Sequence, residues 1–120
     1  MSSKNLHGEQ LQAALIGPQT PISQAVKHMN TEAALVIDGQ GCLIGLITDG
    51  DIRRAFLAGA ALDTPVTEIM THKPITVAES TTVMAIMALM IQKKIRHLPV
   101  VNKEGKPVAL EAIVVSHQHT

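Results

Sequence analysis

The sequence predicts an α/β fold, of the mixed α+β kind, made of two β-α-β-β-α repeats related by a pseudo-twofold axis, the second lacking its closing helix. Three observations carry this. Residues 34–46 read like residues 97–110: an apolar run reaches Asp38 or Asn102, turns through a polar segment holding Gly41 or Gly105, and returns as a second apolar run. Ahead of each such pair lies an apolar stripe with helical spacing. The chain is also 46% apolar over 120 residues, enough to build a shared core.

Each element follows from local pattern. Residues 1–17 are expected as an N-terminal helical extension, with Leu11, Leu15 and Ile16 on one side to cover a face left open. The first repeat, residues 18–59, begins with a short extended stretch near residues 17–20. A helix then follows, because Ile22, Ala25, Val26 and Met29 keep three-four spacing behind Pro21, with Thr20 or Ser23 as caps. Two apolar runs flanking Asp38 and Gly41 make a β-hairpin. Residues 51–58 form a second helix carrying Ile52, Ala55, Phe56 and Leu57, stopped by Gly59.

Residues 60–73 form a linker through Asp63, Thr64 and Pro65 and a short apolar turn at residues 66–70. The second repeat, residues 74–115, starts extended at Pro74, Ile75, Thr76 and Val77. It continues as a helix through Val83, Ile86, Met87, Met90 and Ile91, behind Ser80, Thr81 and Thr82, and returns as the second hairpin. A tail of residues 116–120 ends the chain. Two copies that each leave one sheet face bare cover one another, and the clefts between them are natural ligand sites.

Composition excludes several classes of function. Ten basic and ten acidic residues cancel, so no broad field attracts nucleic acid or an anionic membrane. Phe56 is the only aromatic residue, which removes the stacking platforms of single-strand binders. The single cysteine, Cys42, rules out an internal disulfide and every multi-cysteine metal motif. Apolar runs are too short to span a bilayer and the polar start resembles no signal peptide, so a cytoplasmic protein is expected. His117 and His119 make a poor metal site, and Met84, Met87 and Met90 read as core or dimer packing. Nucleophile elbows, phosphate-cradling glycine loops and paired carboxylates are missing, so the chain is not expected to be an enzyme or to use a catalytic cofactor.

Three strings occur in order: Gly45, Leu46, Ile47, Thr48, Asp49, Gly50, Asp51, Ile52, Arg53, Arg54; then Glu68, Ile69, Met70, Thr71 with Lys73, Pro74, Ile75, Thr76, Val77; then Ile95, Arg96, His97, Leu98, Pro99, Val100, Val101. Together they resemble a tandem CBS-domain pair, or Bateman module, over residues 18–113. The resemblance implies a regulatory module that binds AMP, ADP, ATP or S-adenosylmethionine, controls an attached catalytic domain and forms homodimers. The start, the linker at residues 62–66 and the stretch 108–111 resemble most the N-terminal module of sugar-phosphate nucleotidyltransferases. The module of arabinose-5-phosphate isomerases is the alternative, as is a ligand-free dimerisation module.

The resemblance implies that Thr48 and Asp51 meet the ribose of the nucleotide. A carboxylate accepts hydrogen bonds from both ribose hydroxyls, but the same Thr-x-x-Asp spacing is also that of a helix-capping box, and both readings stand. The base would lie against Leu46, Ile75, Thr76 and Ile95. Arg96 and His97 would stand near the phosphates, with Arg53, Arg54 and Lys94 as weaker options and the amides of residues 49–51 as further donors. Ala112 takes the place of Thr48 in the second repeat, so one nucleotide site per chain is expected.

Overall fold

The computed structural model describes residues 2–114. Strands β1 (Ser2–Leu6), β2 (Leu15–Ile16), β3 (Ala33–Ile37), β4 (Leu43–Thr48), β5 (Thr71–His72), β6 (Val77–Ala78), β7 (His97–Val101) and β8 (Pro107–Val114) form two four-stranded sheets. Helices α1 (Gly8–Ala13), α2 (Ile22–Ala25), α3 (Asp49–Leu57) and α4 (Val83–Lys93) accompany them. One sheet runs β2-β3-β4-β5 and the other β1-β8-β7-β6. In each, a parallel edge strand precedes an antiparallel hairpin that pairs with an antiparallel outer strand.

The outer strands are exchanged. β5 leads into the second repeat yet closes the sheet of the first, and β1 leads into the first yet closes the sheet of the second. Each sheet thus has an edge covered by chain from its neighbour, which satisfies amides and carbonyls that an open edge would leave bare.

Local chemistry makes the two hairpins alike. Asp38 Oδ1 accepts from the amides of Gln40 and Cys42 at 2.9 and 3.0 Å. Asn102 Oδ1 accepts from Glu104 and Lys106, both at 3.0 Å. These side chains mimic a turn of backbone, and Gly41 and Gly105, at φ 87° and 82°, supply the left-handed residue. Ala33 pairs with Thr48 as His97 pairs with Ala112, and the register shifts after Val36 as it does after Val100. The turns also meet each other, Leu43 N donating to Gly105 O at 2.9 Å and Cys42 Sγ to Glu104 O at 3.3 Å.

Alternation along β3 divides the core. Ala34 and Val36 join Ile47, Ile22, Ala25, Ile52 and Ala55 under α2 and α3. Ala33 and Leu35 face the other way, joining Leu46, Leu110, Leu6 and Leu11 between the sheets. Both faces of this strand are therefore buried, and it reads as a continuous apolar run. A third cluster of Ile86, Met90, Leu98 and Val100 lies under α4.

Several local expectations are corrected. The N-terminal extension is not one helix: β1 pairs with β8, Gly8 turns the chain at φ 56°, and α1 is six residues long before β2. The segment does cover an open face, through Leu6 and Leu11, but as a strand plus a short helix. The expected strand near residues 17–20 lies at β2, and only Val77 of the stretch 74–77 is in a strand. Neither Thr20 nor Ser23 caps α2. The linker does, with Leu62 O and Thr64 O accepting from the amides of Ser23 and Ile22 at 3.0 and 2.9 Å. The residues after Val114, where a closing helix and the His117 and His119 pair would fall, lie outside the described residues.

Candidate functional site

β4 ends at Thr48 in an extended conformation, and the chain turns at once into α3. Thr48 Oγ1 accepts from the amide of Asp51 at 3.3 Å, while Asp51 Oδ2 accepts from the Thr48 amide at 2.9 Å and its hydroxyl at 3.1 Å. This is a reciprocal capping box with Asp in the usual place of Glu. Asp51 Oδ1 accepts from Arg54 Nη2 at 2.8 Å. Each carboxylate oxygen carries two acceptor positions, so Oδ1 keeps one open.

On the facing side, α4 is capped by Lys94, a non-glycine residue in the left-handed conformation at φ 56°. That turn sends Ile95 and Arg96 back toward α3, and Arg96 O fixes the backbone by accepting from Ile113 N at 2.8 Å. The Arg96 and Lys94 side chains are exposed, and among the described residues neither has a carboxylate within 4.0 Å.

Between these walls lies a cleft of about 580 Å³, lined by residues of both repeats. Leu46, Thr48, Asp51, Ile75, Ile95, Arg96 and His97 all border it. Leu46 is buried at its floor, while Ile75 is 41% exposed on the connection from β5 to β6. Arg54 and Lys94 line the cleft as well, and Arg53 does not.

Three expectations change. Thr76 borders a separate depression of about 270 Å³ with Ser80 and Lys103. His97 is 8% exposed and its Nε2 lies 2.6 Å from Thr31 O. A carbonyl only accepts, so that nitrogen carries the proton and His97 tethers one repeat to the other, its donor already engaged. The start of α3 offers fewer amides than its spacing implies: Asp49 N donates to Glu32 O at 3.1 Å and Asp51 N to Thr48 Oγ1.

Glu32, Thr71 and Pro74 also border the cleft and went unnoticed in the sequence. Thr71 and Pro74 sit inside the linker string already singled out. Glu32 had a signal too, since aligning the two hairpins sets it opposite Arg96. Thr31 and Glu32 are both left-handed, at φ 51° and 68°, a strained state for β-branched Thr31, and their carbonyls hold His97 and the start of α3.

Two sheets that exchange edge strands around an inter-repeat cleft define a tandem-repeat α/β module. The sequence pattern of the CBS domain matches residues 12–58 and 66–110, and the chain belongs to that family as a tandem CBS pair. An uncharacterized 17.7 kDa protein of Acidianus ambivalens is 32% identical over 102 residues, which cover 82% of this chain and 62% of that protein. The arabinose 5-phosphate isomerase GutQ of Salmonella typhi is 41% identical over 71 residues, covering 59% of this chain and 22% of the isomerase. The chain thus spans less than two thirds of either relative. The crystal structure of CBSX2 in complex with AMP superposes with a TM-score of 0.68 at 26% identity, covering 82% of this chain and 81% of that one. Among the described residues no helix is long and apolar enough to cross a membrane.

Proposed function

We propose that the chain is a regulatory module whose cleft binds one adenosine nucleotide, with the ribose on Thr48 and Asp51, the base against Leu46, Ile75 and Ile95, and the phosphate end toward Arg96 and Lys94. One observation carries this: the open acceptor of Asp51 and two cations without a carboxylate partner among the described residues border one cleft together with the apolar Leu46, Ile75 and Ile95. Ribose hydroxyls donate to the carboxylate, while the Thr48 hydroxyl already donates to Asp51 and keeps only its acceptor capacity. The capping box and the ribose contact therefore coexist. AMP bound by the similar CBSX2 supports the same ligand class here.

Binding across the cleft favours one arrangement of the two repeats, and a catalytic domain attached to the module would sense that preference. That domain handles a sugar phosphate in this reading. The stretches 62–66 and 108–111 favour a nucleotidyltransferase, whereas the 41% match favours an arabinose-5-phosphate isomerase.

The module also pairs with a second copy through α4. Met90 is core at 1% exposure, but Val83, Met84 and Ile91 are 67%, 82% and 72% exposed and leave an apolar stripe in water.

Calorimetry and thermal denaturation with AMP, ADP, ATP and S-adenosylmethionine test the ligand. At ten times Kd a bound nucleotide adds about 1.4 kcal/mol and raises Tm by several degrees. Asp51→Ala should abolish that increment. No binding by the wild type at millimolar ligand overturns the reading and favours a ligand-free dimerisation module.

A further inference from the structure

The cleft is lined by as many carboxylates as cations. Arg54, Lys94 and Arg96 face Glu32, Asp49 and Asp51, so its formal charge is zero with His97 neutral. Arg54 is already paired to Asp51 at 2.8 Å, which leaves Lys94 and Arg96 for an anionic tail. Two of the first three amides of α3 are taken by Glu32 O and Thr48 Oγ1, so the helix start adds little. Such a site has limited capacity for negative charge.

Glu32 is the unexpected member. It stands immediately before β3 where Arg96 stands immediately before β7, so equivalent positions of the two repeats bring opposite charges to one cleft. Its backbone is anchored on both sides, by its own carbonyl on the Asp49 amide and by the preceding carbonyl on His97. The side chain is exposed and has no cation within 4.0 Å among the described residues. A carboxylate carried on this fixed backbone, uncompensated among the described residues and bordering an anion site, repels each additional phosphate.

We infer that Glu32 determines which adenosine ligands the cleft admits: those with a single phosphate, or with a tail of no net charge, and not the di- and triphosphates. The inference rests on the adenosine reading above and adds the selection of tail length.

The test is calorimetric titration of the full chain with AMP and with ATP, without divalent cations, for the wild type, Glu32→Gln and Glu32→Lys. The wild type should bind AMP about tenfold more tightly than ATP, a preference that shrinks as salt rises. Removing one carboxylate near several added charges should improve ATP binding about threefold, and reversing it should improve binding further, while AMP changes by less than about twofold. Unchanged melting curves show that the variants are folded. Equal affinity of the wild type for AMP and ATP, or an ATP-to-AMP ratio indifferent to both substitutions, overturns the role of Glu32 while leaving the nucleotide site standing. Failure of the wild type to bind either ligand overturns the nucleotide reading, and this inference with it.

Discussion

Ile47 and Glu111 occupy the same place in the two sheets, opposite Ala34 and Leu98, yet one is aliphatic and the other a carboxylate. Ile47 is fully buried under α2 and α3. Glu111, 7% exposed, accepts from Asn5 Nδ2 at 2.8 Å, so its polar head is held by the exchanged strand β1. The same backbone frame therefore serves two environments. The first repeat closes its helical face with apolar chain, including its linker, whereas the second has α4 and a polar pair at the corresponding strand. A shared topology does not imply a shared core, because backbone pairing is decided by the ladder and side-chain identity by what covers it.

The sharpest way to break this comparison is to exchange the two residues. Ile47→Glu buries a carboxylate with no partner and should cost about 3–5 kcal/mol in denaturant unfolding. Glu111→Ile replaces a held polar group by an apolar one and should change stability by less than about 1 kcal/mol. Equal costs would mean that both sites are equally dry.

A second pair lies two residues earlier. A Cβ at Gly45 would sit 2.3 Å from Met70 Sδ, whereas Ala109 fills the equivalent place in the second repeat. Met70 comes from the linker and is buried, so Gly45 is the socket that lets the linker seal the first sheet. Gly45→Ala should cost about 1–3 kcal/mol through overpacking, and Met70→Ala in the same chain should recover part of that strain. Ala109→Gly, at a half-buried site beside the cluster under α4, should cost only about 0.5–1 kcal/mol, largely from backbone freedom.

The smallest effect concerns Thr48, at the end of β4, and its counterpart Ala112, inside β8. Thr48→Ala removes the cap and should lower stability by about 1 kcal/mol in thermal melts. Ala112→Thr should also lower stability, by about 1 kcal/mol, since Ala112 is fully buried inside β8, where the added bulk overpacks the site and, without an Asp three residues on, completes no capping box. A comparable gain from Ala112→Thr would contradict the inequality of the repeats.

Most of the frame was legible in the sequence because its causes are local. The Asx turns at Asp38 and Asn102 act within four residues, and the capping box at Thr48 and Asp51 within three. A pattern repeated at such short range can be read by eye. The candidate site was legible for the same reason on the Thr48 side, and on the Arg96 side through its string. Thr76 was misplaced because the connection from β5 to β6 leaves the cleft after Ile75, so that its next residue borders another surface.

The repeat, the two hairpins and the capped start of α3 follow from local sequence alone. Tertiary structure decided the rest: β1 as the outer strand of the far sheet, the linker as the cap of α2, His97 as a tether, and Glu32 beside the cations. His97 and Thr31 are 66 positions apart, and Asn5 and Glu111 are 106 apart. At such separations no local spacing encodes the partner. The pairing of β1 with β8 sets Asn5 beside Glu111, while the closing of the two sheets on each other brings His97 to Thr31 and the Thr48 cap and the Arg96 corner to one cleft.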